Sequence, residues 1–186
     1  MLSKSWTNIE SYFTQQGIRL TSLIPQKTTV LLNISAQIKD IKITVENKYV
    51  GRGKNKTLIT RTCIIPPHSI PQFKITRENI FTKIGETLGW KDTKTGDVEF
   101  DKRFRLTMNK AEIGRVFTNE LMSEFLTKRK DLYGTIECNN DVIEIIQYGV
   151  PGYKIGFKQF TNLFELGMKI AGTKPKVMGH SPGSFI

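Results

Sequence analysis

Three aspartates, Asp92, Asp97 and Asp101, stand in one short segment around Gly96. Three carboxylates so close could converge on a hard cation such as Ca²⁺. Their spacing departs from a calcium loop, in which ligands recur every second residue before a bidentate Glu, and Lys94 opposes a dense cation site. The spacing fits a turn better: Gly96 supplies a positive φ, and Asp101 pairs with Arg103 or accepts from backbone amides. His68 and Cys63 could share a metal, but no second pair at zinc spacing completes four ligands. Gly51-Arg-Gly-Lys-Asn-Lys-Thr57 fails both phosphate-loop patterns and joins two strands instead of a strand and a helix. No serine elbow, carboxylate pair or cysteine-nucleophile signature is present, so no catalytic residue, metal or cofactor is assigned from sequence.

Positive charge is the second source of chemistry. Lys and Arg number 28 against 17 Asp and Glu, a net charge of +11. The densest basic run is Arg52, Lys54 and Lys56, with Arg61 further along the same stretch, and Arg103 and Arg105 are read as sharing one side of a strand. Such a finger could lie against the phosphates of nucleic acid or of lipid head groups. Against this, a hairpin tip is solvated in any case, and lysines on sheet edges discourage aggregation. No aromatic residues interleave with the run to stack bases, and no recognition-helix or zinc-finger pattern accompanies it.

Periodicity indicates the elements that must carry these groups. Trp6, Ile9, Tyr12 and Phe13 predict a helix over Lys4–Gln16. Alternation predicts strands over Thr29–Ile38, Asp40–Tyr49 and Thr57–Ile65, the last two forming a hairpin with the basic tip, and Tyr49 falls on the apolar side. Pro66, Pro67 and Pro71 are expected to end this sheet region, and Thr76 to open a helix carrying Ile80, Phe81, Ile84 and Leu88. Val98–Met108 reads as one strand with Phe100, Phe104 and Leu106 on its apolar face, interrupted by Lys102. Asn109 and Glu112 resemble a capping box opening a long helix that carries Ile113, Phe117, Leu121 and Phe125 and ends in the basic cluster Lys128-Arg129-Lys130. A hairpin turning at Asn139-Asn140-Asp141 and a helix over Phe157–Ala171 follow. The expected fold is one α+β domain over residues 1–172, with residues 1–17 as its N-terminal helix. Its sheet is mostly antiparallel, or mixed, with about five to seven strands packed against amphipathic helices. Residues 173–186 read as a flexible basic tail.

The order of elements, with Asp92, Gly96, Asp97, Phe100 and Asp101 followed by Phe104, is similar to an uncharacterised bacterial domain family. In that family D-x-x-x-G-D-x-x-F-D precedes an alternating strand, and the similarity spans residues 28–171. The resemblance implies no activity. Several relatives carry hydrophobic, membrane-spanning segments ahead of the domain, which implies work near a membrane. In this chain no run approaches the ~18 apolar residues of a spanning helix, and MLSKSWTNIESYF lacks a secretory apolar run. A cytoplasmic setting, with a membrane-peripheral variant, is therefore expected. The motif residues are read as structural, with Phe100 and Phe104 anchoring the sheet. The function expected is a non-enzymatic intracellular binding or accessory module, acting on a protein partner or on a second copy. The alternative is a basic module for nucleic acid or anionic lipid through Arg52, Lys54, Lys56, Arg61, Arg103 and Arg105. An enzyme with an unrecognised pocket is third.

Overall fold

Alternating apolar residues commit most of the chain to strands with one greasy face, and such faces are stable only when something covers them. The computed structural model describes residues 2–23, 33–51, 54, 56–77, 92–149 and 154–172. Its helices pack on an antiparallel sheet of eight strands, an α+β fold. Helix α1 (Leu2–Gln15) leads into β1 (Arg19–Leu23), β2 (Asn33–Ile38), β3 (Ile41–Val50) and β4 (Thr57–Ile65), which form a meander. Then come β5 (Phe73–Arg77), the single turn α2 (Val98–Asp101) and β6 (Phe104–Met108). The short α3 (Ile113–Val116), α4 (Asn119–Lys128), the hairpin β7 (Gly134–Asn139) and β8 (Val142–Tyr148), and α5 (Lys154–Gly172) complete the order. Across the sheet the strands run β1-β2-β3-β4-β8-β7-β5-β6, and every pairing is antiparallel.

The register lines up one buried face. Val45 lies opposite Thr62, Ile43 opposite Ile64, Ile64 opposite Ile143, Ile145 opposite Ile136 and Ile136 opposite Ile75. Helix α5 lies across β4, β8 and β7, with α1 beside it. Phe13, Phe160 and Phe164 interlock at that junction, with ring centroids 5.1–6.4 Å apart. Buried polar residues on the same face are tied down: the Thr60 hydroxyl lies 2.7 Å from the Gly149 carbonyl, and Gln147 Nε2 donates to the Gly156 carbonyl at 2.9 Å. The opposite face carries no described helix and is laid with Glu46, Arg61, Glu144, Glu137 and Lys74.

Five expectations are corrected. The sheet has eight strands because β1 and β5 join it. The prolines do not end the sheet: β5 starts two residues after Pro71. Thr76 opens no helix, since it pairs with Arg105 on one side and Thr135 on the other. Val98–Met108 is a helical turn followed by a strand, because the Asp97 side chain accepts from the Glu99 and Phe100 amides and winds the chain before β6 begins. Lys102 therefore closes a helical turn in solvent instead of interrupting a strand face. The long helix from Asn109 is broken at Phe117, whose backbone leaves the helical region (φ −96°, ψ 80°); Thr118 then caps α4 by accepting from the Leu121 amide. Tyr49 keeps the side of Ile43 and Val45 but stands 53% exposed, at the hairpin end of β3. Of the remaining expectations, the Ile80–Leu88 stripe, the tail 173–186, Arg52, and the side chain of Trp6 lie outside the described residues.

Candidate functional site

The Asp92–Asp101 segment is held together by its own carboxylates. Asp101 Oδ1 accepts from the Thr95 amide at 3.0 Å and from its hydroxyl at 2.9 Å, while Oδ2 accepts from the Gly96 amide at 3.3 Å. Gly96 has φ +95°, as the turn requires. Asp97 caps α2, and Asp92 turns outward to the sheet. There it seals an edge. β6 is the last strand, and its outward amide at Leu106 donates to Asp92 Oδ1 at 3.2 Å. The Thr93 amide donates to the Leu106 carbonyl at 2.6 Å, and the Thr93 hydroxyl donates to the Met108 carbonyl at 2.8 Å. An exposed strand edge invites pairing with other chains, and these contacts occupy it. Each of the three carboxylates thus accepts from backbone N–H groups, joined by the Thr95 hydroxyl at Asp101 and by Lys94 at 2.5 Å from Asp92 Oδ2. Phe100 and Phe104 are buried beneath, with centroids 5.0 Å apart. Asp101→Ala is expected to cost about 1–3 kcal/mol, because the part-buried Thr95 amide loses its acceptor. A urea midpoint unchanged from wild type would show that this brace carries no stability.

The five basic candidates among the described residues do not converge. Lys54 and Lys56 are exposed at the hairpin tip. Arg61 lies five residues along β4, about 16 Å at strand rise. It is already occupied, donating to Glu144 Oε2 at 2.5 Å and to Glu46 Oε1 at 3.2 Å. The hydrogen bond to Glu144 is the main cause that holds its guanidinium charged, above its ordinary value, against the opposing effect of burial. Arg105 is four strands away on β6, about 19 Å across the sheet. Arg103 is not on a strand but in the exposed turn before β6, so it shares no strand face with Arg105.

Both cysteines are free and sit on opposite faces of the sheet. Cys63, half-buried, pairs with Thr44 and Glu144 on the face that carries Arg61; Cys138 is fully buried opposite Phe73 and Ile143. Burial pushes the Cys138 thiol up to about 11 and raises that of Cys63 as well. Ellman's reagent at pH 8 is therefore expected to titrate one thiol in the native chain, slowly and faster as pH rises, and two in denaturant. Two fast native thiols would contradict the placement of Cys138. Among the described residues, no group of three His, Cys, Asp or Glu side chains could hold a metal ion.

Two cavities among the described residues are large enough to hold a ligand. An open groove of about 830 Å³ runs beside the ends of β5, β6 and β7, within the ~300–1,000 Å³ usual for ligand sites. Phe73, Pro71 and Met108 give it an apolar floor. Lys74 and Glu137, paired at 3.0 Å across neighbouring strands, stand on one side; Glu112 and Arg115, paired with each other, stand on the other. The local sequence explains the second pair: Asn109 accepts from the Ala111 amide to start a 3-10 turn, which places Glu112 and Arg115 one turn apart. Sequence reasoning missed all four charged residues. Alternation places Lys74 and Glu137 on polar faces, but only the β5–β7 register brings them together. The second cavity, about 310 Å³, opens among α1, α4 and α5. No protein-family model, curated protein or solved structure matches this chain, and no described helix is long and apolar enough to cross a membrane.

Proposed function

We propose that this chain is a non-enzymatic binding module and that its ligand site is the groove beside β5, β6 and β7. The observation that carries this reading is the convergence of two oppositely built ion pairs, Lys74–Glu137 and Arg115–Glu112, on one apolar-floored trough. Charged groups matched pairwise recognise a ligand that presents both signs. A trough open along its length suits an extended chain better than a compact cofactor, so the ligand class is a short peptide segment of mixed charge. Pro71 and Met108 would take its apolar side chain, while its acidic and basic groups would exchange with Glu112 for Arg115 and with Lys74 for Glu137. A cytoplasmic setting accompanies this reading, in keeping with two thiols that the sheet keeps apart.

The test is an array of immobilised hexapeptides combining Glu, Lys and Leu, probed with the full chain and with Arg115→Ala. The chain is expected to retain peptides carrying both charges over all-acidic and all-basic ones, and Arg115→Ala to weaken that retention at least fivefold. Preference for all-acidic peptides, retained in Arg115→Ala, would transfer the function to the basic hairpin. Retention of no peptide would overturn the reading.

A further inference from the structure

Two exposed tyrosines meet a basic cluster at the end of the sheet away from the groove. β7 and β8 pair out to Gly134 and Gln147, so the next residues outward, Tyr133 and Tyr148, hold facing positions on neighbouring strands. Each is 43% exposed, and exposed tyrosines offer large, rigid contact area to a partner. On the other side of β7, β5 ends at Arg77, whose partner on β6 is Phe104, next in the chain to Arg103. The strand ends carrying Tyr148, Tyr133, Arg77 and Arg103 thus follow one another in the order β8-β7-β5-β6, at about 4.8 Å per step. Lys130 stands three residues ahead of Tyr133, in the turn that leads into β7.

Arg77 joins the two chemistries. Its guanidinium lies over the Tyr133 ring, 5.1 Å from the centroid. Stacking uses the flat face of the group and leaves its N–H donors available in the plane. Arg103 and Lys130 are exposed, and among the described residues none of the three cations holds a carboxylate. The neighbouring carboxylates are taken: Glu99 holds Lys102 at 3.2 Å, Asp131 holds Lys158 at 2.7 Å, and Glu144 holds Arg61 at 2.5 Å.

We propose that this end of the sheet binds single-stranded nucleic acid, with phosphates on Arg77, Arg103 and Lys130 and bases stacked on Tyr133 and Tyr148. Cations alone would suit any polyanion. The rings favour an unpaired strand, because its bases offer flat faces that an acidic peptide, a lipid head group and a closed duplex do not. The stacking platform missing from the hairpin's basic run is supplied here by strand order, from four segments that share no motif.

The test is fluorescence anisotropy of a labelled octathymidylate with the full chain, at low and at physiological salt. Duplex DNA, oligoglutamate and phosphatidylglycerol vesicles serve as competitors. The single strand is expected to bind at least fivefold more tightly than the duplex. Its logarithmic salt slope should be about −2, from three phosphate contacts at about −0.7 each. Tyr133→Ala and Tyr148→Ala should each lower affinity at least fivefold, and Tyr133→Phe should stay within twofold of wild type. Arg103→Gln with Lys130→Gln should bring the slope to about −0.7. Tyr49→Ala, on the opposite face, and Lys54→Gln with Lys56→Gln, at the hairpin tip, should stay within twofold; thermal melts establish that each variant is folded. Duplex, oligoglutamate or vesicles binding as tightly as the single strand would overturn the proposal. So would affinity indifferent to both tyrosine truncations, a slope unchanged by the paired Gln variant, or no anisotropy change at low salt. None of these residues lines the groove, so peptide binding there and this proposal succeed or fail separately.

Discussion

Phe100→Ala is expected to destabilise the fold by about 3–5 kcal/mol, the range for truncating a buried phenylalanine. The side chain is fully buried, and three rings surround it: Phe104 at 5.0 Å, Phe125 edge-on at 5.9 Å and Phe117 at 6.1 Å. Aromatic pairs of this kind add about 0.5–1.5 kcal/mol beyond area burial. The position matters as much as the ring. Phe100 lies in the single turn α2, between the Asp97 cap and the start of β6, so its anchor holds the motif against α4. A void here has little means of collapse, because Phe104 and Phe117 are themselves fixed by the sheet and by the α3–α4 break. Phe100→Leu, which keeps much of the volume, should cost only about 1.5 kcal/mol. Urea unfolding followed by tryptophan fluorescence and circular dichroism measures both. Equal, near-neutral midpoints for the two variants would remove Phe100 from the core.

Gly134→Ala is expected to cost about 3 kcal/mol or more. A Cβ at Gly134 would stand 2.4 Å from the Ile146 carbonyl oxygen and 2.9 Å from Leu163 Cδ1. The leucine can rotate, but the carbonyl belongs to β8, paired with β7 on one side and β4 on the other. Relief therefore requires moving a central strand or lifting α5 from the sheet, at the upper end of overpacking costs of about 1–3 kcal/mol. Gly114 provides the control. It sits in helical α3 with nothing within 4 Å of its added Cβ, so Gly114→Ala should be neutral or stabilising by up to about 1 kcal/mol. Chemical denaturation of the pair separates close packing from any general effect of losing a glycine. Equal midpoints would contradict the approach of β7 to β8 and α5.

Where chemistry is local, the sequence carried the structure. Asn140 and Asp141 adopt positive φ (49° and 61°) in a two-residue hairpin turn, a conformation their side chains tolerate. The Ile43/Val45 alternation and the Phe160/Phe164 spacing name their faces by themselves. Local signals failed where partners decide. Phe73-Lys-Ile-Thr-Arg77 is short, follows proline and resembles a helix start, yet pairing with β6 and β7 together makes it a strand. Phe100 and Phe104 are four apart, a spacing that fits a strand face and a helix face equally, and the Asp97 cap settles it. Thr118, followed by Glu120 and Leu121, was the legible mark of the α3–α4 break, overridden by the longer apolar stripe through Phe117 and Phe125. The groove was beyond reach for the same reason. Lys74, Glu112, Arg115 and Glu137 come from separate segments with no motif, and only strand order and register assemble them. Conversely, the basic residues, conspicuous in sequence, are divided by the sheet and partly neutralised by Glu46 and Glu144.

The most direct measurement is an ¹⁵N-HSQC titration of the full chain with a soluble hexapeptide pool of mixed Glu, Lys and Leu composition. Binding in the groove predicts concentration-dependent shifts confined to the amides of Lys74, Thr107, Asn109, Arg115 and Glu137, absent in Arg115→Ala. Shifts centred on Lys54 and Lys56, or none at millimolar peptide, would contradict the assignment of this groove as the binding site.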